Sequence, residues 1–334
     1  MRESNGDTVL LIGLVEDPHI RAVKVGLDEF GARSFFFDPS EEDGIPALRQ
    51  LSRQHSILNW PDGRQLVVNS VRSIFCRYAI DKLYVNPNLP DLERFALTER
   101  LQAALSALRC IHSSSWVNDP WLEARADCKL YQTELASRLG LRTPDQIVTN
   151  SIADVRSFAE KHDELIIKSI SDCSLGVIGD EIYCDRPIPN ANFLAPYTAP
   201  LSVDKLDDLM MDDTPSLIQS KVRKRFDIRA NVVDSDVFAY AITQQDGGGV
   251  DFRLNRIDSV SSIQLPDHIG GPLVELVRQM GLRFASCDLI QDEDGHFVFL
   301  EANVSGNYEF CDLSDEFRVT KALCRILACT TPFC

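Results

Sequence analysis

Runs of apolar residues, and the spacing of apolar positions between them, divide the start of the chain into strands and a helix. Residues 8–15 have the pattern of a buried strand, residues 18–30 carry apolar side chains at helical spacing, and residues 33–37 are apolar again. This order predicts a βαβ unit. No GxGxxG turn follows the first strand, so we do not expect a dinucleotide site there.

The middle of the chain continues with alternating helix and strand patterns. Residues 123–139 predict one helix that ends at Gly140, and residues 152–162 predict another. Residues 165–170 predict a strand. Residues 171–180 are small and polar and contain two glycines, which is typical of a loop.

Two apolar runs near the end of the chain flank an acidic turn within residues 284–306. The turn contains Asp294 and Gly295, and Asp-Gly between such runs is a strong hairpin signal. If these two residues alone form the turn, Asp288 lies directly opposite Glu301. The pattern therefore predicts a β-hairpin with two carboxylates facing each other.

The same register places Asp288, Glu301 and Asn303 on one face, because side chains alternate along a strand. Two carboxylates directly opposite each other repel, and a bound cation would reverse the sign of that interaction. Three oxygen-bearing side chains, with no His or thiolate among them, suit Mg²⁺ that is also held by substrate phosphates. The alternative is a solvated acidic hairpin without a metal.

Two lysines are candidates for anion binding. Lys168 lies among apolar residues in the predicted strand, where an ammonium group needs a partner. That partner is either a phosphate or a structural carboxylate. Lys129 lies on the predicted helix, where a solvated lysine is the ordinary alternative.

Three arginines are further candidates. Arg229 alternates with apolar residues, so it points away from the core into a cleft or solvent. Arg253 follows a glycine-rich segment and could contact a phosphate or a carboxylate. Arg77, at the end of a predicted strand, could do the same or could be a surface residue.

The composition of the chain argues against several classes of function. The chain has 334 residues and a formal charge of −16, which argues against a nucleic-acid binder because such binding rests on clustered Lys and Arg. The ten cysteines show no paired CxxC pattern, which favours reduced thiols in a cytoplasmic protein. No apolar run approaches the length of a membrane span. Neither a nucleophile elbow nor a Walker A loop is present.

The order of these parts resembles that of ATP-grasp ligases. Two segments resemble the graspetide synthetases, the microviridin-type peptide macrocyclases: SWVNDPWLEARADCKLYQTELASRLGLRTPDQIVTN at 115–150 and SLIQSKVRKRFDIRANVVDSDVFAYAI at 216–242. The closing stretches DFR at 251–253 and FLEANVSGNYEF at 299–310 resemble the same group. The likeness covers most of the chain.

The resemblance implies an α/β fold of α+β subdomains, an ATP-grasp fold that follows an N-terminal βαβ domain. Residues 1–115 would form the N-terminal domain, residues 116–205 the central subdomain and residues 206–334 the C-terminal subdomain. ATP and Mg²⁺ would bind between the last two. The implied site residues are Lys129 and Lys168 at the phosphates, Gln219, Ser220 and Val222 at the adenine, Asp288, Glu301 and Asn303 at Mg²⁺, and Arg229 and Arg253 at the transferred phosphoryl group or the acceptor carboxylate.

The chain departs from the family pattern at three places. Ser220 replaces the usual hinge Glu, so another group must accept a hydrogen bond from the adenine amino group. The usual pair of arginines after the N-terminal strand is Arg77 and Tyr78, which puts a substrate role there in doubt. The usual Asn-Pro after the metal-binding Glu is Asn303-Val304, which keeps the ligand.

Three functions are compatible with this sequence. The first is a ligase that forms ω-ester or ω-amide crosslinks in a ribosomal precursor peptide, with leader and core as its substrate. The second is a small-molecule carboxylate–amine ligase, and the third is a nucleotide-binding scaffold that has lost catalysis. The complete set of lysines and acidic residues argues against the third, and a homodimer is one possible assembly.

Overall fold

A computed structural model gives the fold of this chain. It describes residues 6–52, 55–77, 89–111, 116–168, 170, 175–178, 181–184, 192–194, 198–202, 215–244 and 257–329. None of the helices in these ranges is long and apolar enough to cross a membrane.

The N-terminal part contains a parallel sheet and a smaller antiparallel one. Its elements are β1 (Thr8–Ile12), α1 (Pro18–Glu29), β2 (Arg33–Phe37), β3 (Ala47–Ser52), β4 (His55–Asn59), β5 (Gln65–Val67), β6 (Val71–Cys76), α2 (Asp91–Ile111) and β7 (Trp116–Val117). The parallel sheet has the order β2-β1-β6-β7 and the antiparallel sheet the order β3-β4-β5. The predicted βαβ opening is confirmed, because β1 and β2 pair in parallel across α1.

The middle of the chain forms two short sheets. Its elements are α3 (Pro120–Ala126), α4 (Lys129–Arg138), β8 (Gln146–Thr149), α5 (Ile152–Ala159), β9 (Leu165–Lys168), β10 (Leu175–Ile178), β11 (Glu181–Cys184), β12 (Asn192–Leu194), β13 (Ala199–Leu201) and β14 (Ser216–Ser220). The sheets have the orders β13-β9-β14-β8 and β11-β10-β12.

A five-stranded antiparallel sheet dominates the remainder. Its elements are β15 (Lys224–Val233), β16 (Asp236–Gln244), β17 (Ile257–Ile263), α6 (Asp267–Gln279), β18 (Phe284–Asp292), β19 (Phe297–Asn303), α7 (Glu309–Asp312) and α8 (Arg318–Ala328). The order of the strands is β17-β16-β15-β18-β19. This sheet carries the predicted metal ligands.

Two element predictions are wrong. The helix expected over residues 123–139 is two helices, because the backbone at Asp127 leaves the helical region with ψ 51°. The segment 171–180, predicted as a loop, contains β10, whose partners are β11 and β12. The other residues of that segment, 171–174 and 179–180, lie outside the described ranges.

The same local device starts two helices, and the sequence contains it as Asp-Pro. Asp17 precedes α1 and accepts a hydrogen bond from His19 N at 2.8 Å. Asp119 precedes α3 and accepts one from Trp121 N at 2.9 Å. A carboxylate at the N-cap satisfies a helical N–H that has no other partner, and proline fits the first helical position.

Packing gives the five-stranded sheet two different faces. On one face, side chains such as Ile228, Ala230, Cys287 and Phe299 pack with α4 and α6 in an apolar core. The residues between them in sequence point to the opposite face, because side chains alternate along strands. That opposite face carries the polar residues of the candidate site.

Candidate active site

The β18–β19 hairpin puts Asp288 opposite Glu301, as the sequence predicts, but by a different route. Asp292 N donates to His296 O at 2.9 Å, so the loop has three residues rather than two. Gly295 takes φ +88° in that loop, a left-handed conformation that favours glycine. The two-residue turn of Asp294 and Gly295 that the sequence predicts is therefore wrong.

A β-bulge further along the hairpin shifts the pairing by one residue and so returns it to the predicted register. The bulge lies between Asp288 and Leu289 on β18 and between Phe299 and Glu301 on β19. Leu289 pairs with Phe299, Asp288 pairs with Glu301, and Leu300 is the extra residue. The bulge lets Phe299 enter the apolar core while Glu301 points to the polar face, which a regular strand would not allow for residues two apart.

Three charged residues form a row across adjacent strands of the polar face. Arg229 on β15 pairs with Asp288 on β18, which pairs with Glu301 on β19. Arg229 Nη1 lies 3.1 Å from Asp288 Oδ1, and the Arg229 side chain is only 7% exposed. Lys129 Nζ, at the start of α4, lies 4.0 Å from Glu301 Oε2. Each carboxylate therefore has a cationic partner from the chain itself.

This pairing corrects one step of the sequence argument. Repulsion between Asp288 and Glu301 does not by itself require a bound cation, because Arg229 and Lys129 already offset it. The structure also corrects the expectation that Arg229 could reach solvent: it is buried, and its guanidinium lies 5.9 Å from the ring centre of Phe310.

A second row of polar residues lies beside the first. Asn231, Ser286 and Asn303 occupy paired positions on the same three strands. Ser286 Oγ donates to Asn231 Oδ1 at 2.6 Å. Asn303 Nδ2 donates to Asp288 Oδ2 at 2.9 Å, which ties the second row to the first.

The donor set of these rows fits a hard divalent cation. Asp288, Glu301 and Asn303 offer carboxylate and amide oxygens on one face, the ligand type that Mg²⁺ prefers. Among the described residues, a different acidic group, Asp292 and Asp294 with His296, also brings ligand atoms together, within 4.8 Å of one another. That group forms the hairpin tip, where Asp292 Oδ1 accepts a hydrogen bond from His296 N.

The β13-β9-β14-β8 sheet also has one apolar and one mixed face. Leu165 and Ile218 pack with Val155 of α5 in a small core. The opposite face carries Lys168 and Gln219, because each is one position away from a core residue in its strand. Lys168 is half-buried, so the structure confirms that this lysine lies in a strand among apolar neighbours.

An amide pair completes that face. Gln219 and Gln146 face each other on β14 and β8, and Gln219 Nε2 donates to Gln146 Oε1 at 2.8 Å. Gln219 is 1% exposed, and among the residues that the structure describes its Oε1 accepts no hydrogen bond. A buried acceptor of this kind is suited to a donor group on a ligand.

Three residues connect this sheet to the five-stranded one, between Ser220 and Lys224. Ser220 N donates to Asp145 O, and Lys221 N donates to Glu164 O, both at 2.9 Å. Ser220 and Val222 are half-buried. The hinge expected from the sequence is therefore a short, anchored connection between the sheet with Lys168 and the sheet with Asp288.

Two predicted arginine roles have different outcomes. Arg253 lies outside the described residues, so its role stays a prediction. Arg77 is not a surface residue: it is buried, with its Nε 3.2 Å from Asp17 Oδ2 and its Nη1 donating to Gly306 O at 3.4 Å. Tyr78 also lies outside the described residues.

The thiols near the site are not activated. Burial raises the pKa of Cys287 to about 12, and the neighbouring Asp288 carboxylate acts in the same direction. Burial likewise raises the pKa of Cys311 to about 12. Both thiols are protonated at neutral pH, which agrees with a reaction that does not use a protein nucleophile.

Sequence reasoning missed several buried polar residues around the site. Their signal was a polar side chain at a position that helical or strand spacing assigns to the core. This set consists of Asn118, Glu123, Gln132 and Asn231.

No protein-family model matches the sequence, and no curated protein matches it either. Solved structures do match, over nearly the whole chain. The RiPP-associated ATP-grasp ligase of Chryseobacterium gregarium, in complex with ADP and a leader and core peptide, has a TM-score of 0.81 at 22% identity, covering 98% of each chain. Macrocyclase MdnC from Microcystis aeruginosa MRC, bound with precursor peptide MdnA, has a TM-score of 0.77 at 21% identity, covering 96% of this chain and 99% of MdnC.

A third match carries a metal. ATP-grasp ligase PsnB, complexed with a phosphomimetic variant of its minimal precursor, Mg and ADP, has a TM-score of 0.72 at 21% identity. The match covers 97% of this chain and 98% of PsnB. These likenesses show that the chain has the fold of the ATP-grasp ligases, with helices and sheets in the expected α/β arrangement.

Proposed function

We propose that this chain is an ATP-dependent carboxylate ligase that forms ω-ester or ω-amide crosslinks within a ribosomal precursor peptide. The main support is the charged row Arg229–Asp288–Glu301, with Lys129 at its end. It lies in the fold of ligases whose solved structures hold ADP and precursor peptides. A solvated acidic hairpin would not place these carboxylates in a half-buried row with two cations.

Asp288, Glu301 and Asn303 are the proposed Mg²⁺ ligands. When bound, the metal would neutralise charge on the β- and γ-phosphates of ATP. Arg229 places a guanidinium 3.1 Å from the Asp288 carboxylate and so offsets its negative charge. Asn303 orients the same carboxylate through its amide N–H.

Lys129 and Lys168 are the proposed phosphate-binding residues, and Gln219, Ser220 and Val222 the proposed adenine-binding residues. The buried Oε1 of Gln219 is placed to accept a hydrogen bond from an amino group. It would thereby supply the acceptor that the usual hinge Glu provides in the family and that Ser220 lacks. Gln146 holds the Gln219 amide in that orientation.

The chemistry needs positioning and charge neutralisation rather than a covalent enzyme intermediate. A substrate carboxylate oxygen attacks the γ-phosphorus of ATP, the bond to the leaving ADP oxygen breaks, and an acylphosphate forms. A substrate hydroxyl or amine then attacks the acyl carbon and loses its proton, and phosphate leaves. Arg229, and Arg253 by prediction, would stabilise the negative charge in these steps.

The test is incubation of the protein with ATP, Mg²⁺ and a candidate precursor peptide, read by mass spectrometry. We expect loss of one water per linkage and release of ADP. Asp288→Asn and Glu301→Gln should each lower turnover by at least about 100-fold, because charge stabilisation in the transition state is lost. Light scattering of the same sample measures whether the chain forms a homodimer.

Asp294→Asn is the matched control, because it changes an exposed carboxylate of the same hairpin outside the charged row. Its turnover should equal that of the wild type. Circular dichroism of all three variants checks that the fold is retained. Full turnover in both Asp288→Asn and Glu301→Gln contradicts the site. ADP release that is stimulated by free amino acids, with no peptide modified, supports the small-molecule ligase instead.

A further inference from the structure

The side chain of Gln132 makes an unusual contact with the strand that carries two proposed metal ligands. Its Nε2 donates to Ala302 O at 2.8 Å, and its Oε1 accepts from Ala302 N at 2.8 Å. The same Nε2 also donates to Ala126 O at 2.9 Å. Gln132 is only 2% exposed, so these bonds form in a dry environment.

This contact replaces a missing neighbour strand. β19 is at the edge of the five-stranded sheet, and no further strand of the described residues runs along its outer side. There Phe299 N donates to Arg142 O at 2.8 Å, and Gln132 meets the backbone of Ala302. Gln132 pairs with Ala302 as the backbone of a further strand would, through one donor and one acceptor. Burial makes such a pairing consequential, because an unsatisfied buried backbone group is costly.

The position of Ala302 gives the contact its significance. Ala302 lies between Glu301 and Asn303, and it points into the apolar core while its two neighbours point to the polar face. Fixing both backbone groups of Ala302 therefore fixes the strand at the point from which both ligands project. Other contacts hold the adjoining backbone: Asn118 Nδ2 donates to Val304 O at 3.2 Å, and Ser305 Oγ donates to Glu123 at 2.9 Å.

The same helical turn also supplies the cation beside Glu301. Lys129 is three positions before Gln132, and residues three apart share one side of a helix. Lys129 approaches Glu301 while Gln132 holds Ala302. The start of α4 therefore controls both the charge and the placement of the ligand strand.

We infer that Gln132 is a positioning residue for the divalent metal: it holds the Ala302 backbone so that Glu301 and Asn303 bind the ion in a fixed geometry. This inference rests on the proposed function of the charged row. Gln is the side chain that suits the task, because its amide donates and accepts at once. Met has the length of Gln but neither group, and an ionised Glu only accepts.

The test measures Mn²⁺ binding by electron paramagnetic resonance in the presence of ADP. We expect Gln132→Met to raise the Mn²⁺ Kd by about 10–100-fold, as is typical when a group that orients a metal ligand is removed. The Kd of ADP without metal should stay unchanged. Amide hydrogen exchange at Ala302 should become faster, which reports directly on the backbone contact.

Two further variants separate positioning from general stability. Ser73→Ala removes another buried bond from a side chain to a backbone carbonyl, Ser73 Oγ to Leu327 O at 2.7 Å in the N-terminal part, and should leave the Mn²⁺ Kd unchanged. Gln132→Leu also removes both the donor and the acceptor, with another apolar shape, so the Kd should again rise. This variant also serves if Gln132→Met does not fold.

The outcomes distinguish the two proposals. A wild-type protein that binds no Mn²⁺ with ADP overturns the metal site, and this inference with it. A wild type that binds Mn²⁺, with an equal Kd in a folded Gln132 variant, overturns this inference alone. A rise in Kd of the same size in Ser73→Ala would also overturn it, because the effect would then follow from stability.

Discussion

Arg77, Asp17 and His19 form a buried polar cluster at the end of the N-terminal sheet. Arg77 pairs with Asp17, which caps the helix that contains His19. The His19 ring lies 4.2 Å from that of Tyr308, which follows β19 in the chain. The cluster thus joins the N-terminal part to the segment after β19, so we assign Arg77 a structural role rather than a substrate-binding one.

The cluster predicts a pH dependence of stability. Burial, together with the Arg77 guanidinium, lowers the pKa of His19 from 6.5 to about 4, although Asp17 and Asn307 oppose the shift. The folded protein therefore keeps His19 neutral where the unfolded chain binds a proton. The contribution of His19 to the free energy of unfolding should be fully present above about pH 6.5. That free energy should fall by up to about 3 kcal/mol as the pH decreases towards 4.

Urea unfolding across this range measures the effect. In His19→Gln the additional loss between about pH 6.5 and about pH 4 should be smaller than in the wild type. His268→Gln changes an exposed histidine and should keep the wild-type slope. An identical pH profile in the wild type and in His19→Gln would show that the ring does not titrate as described. Asp17 contributes at lower pH, because its pKa is lowered below 3.8 by Arg77 and His19 despite burial.

At the scale of elements, the β-bulge at Leu300 decides which side chains of β19 reach the site. The residues before it that enter the core are odd-numbered, as with Phe299, while those after it are even-numbered, as with Ala302. The extra residue therefore shifts the alternation of core-facing and site-facing side chains by one position.

Deletions of single residues should test this phase change. Removal of Leu300 should be tolerated, because Phe299 and Glu301 then take adjacent regular positions on the same faces as before. Removal of Ala302 should turn Asn303 towards the apolar core, where an unsatisfied amide costs about 1–3 kcal/mol. We expect turnover to be lost by at least about 100-fold in the second variant only. Equal turnover in the two would refute the assignment of the bulge.

The same hairpin shows how far the sequence could predict the site. Strand alternation and the Asp-Gly signal were enough to place Asp288 opposite Glu301, but through two errors of one residue that cancel. Neither the third loop residue nor the bulge has a local signature as strong as the turn itself. The charge partners Arg229 and Lys129 could not be assigned, because they depend on tertiary contacts between separate elements.

Prediction of the fold from the sequence succeeds and fails in a similar way. The βαβ opening and the hairpin within residues 284–306 follow from local patterns, and the structure confirms them. The break between α3 and α4 was missed because apolar spacing continues across it. Gln132 was also missed, since its partner Ala302 is 170 positions away and a buried amide on a helix has no sequence signal for such a partner.

At the scale of the whole molecule, α8 packs on the N-terminal sheet. Leu323 and Leu327 are fully buried in a core with Val9 and Leu11 of β1. Arg72 Nη1 donates to Ala328 O at 2.6 Å, which fixes the end of the helix. The boundary at residue 115 stays a prediction, and the N-terminal sheet completes one of its cores with residues far beyond it.

This packing predicts that α8 contributes strongly to stability. Leu323→Ala should lower the free energy of unfolding by about 2–5 kcal/mol, because it removes fully buried methyl groups and leaves a cavity. Leu313→Ala, at a side chain that is 67% exposed, should change it by less than about 0.5 kcal/mol. Equal unfolding free energies of these two variants in urea titration would contradict the role of α8.

The contact between β6 and α8 also has a consequence for folding during translation. Ser73 bonds to Leu327, 254 positions later in the chain. Since ribosomes add about 5–20 residues per second, the N-terminal strands exist for roughly 10–50 seconds before α8 has been synthesised. Throughout that interval the apolar face with Val9 and Leu11 has no cover from α8. The N-terminal sheet therefore completes this core only after α8 has been made.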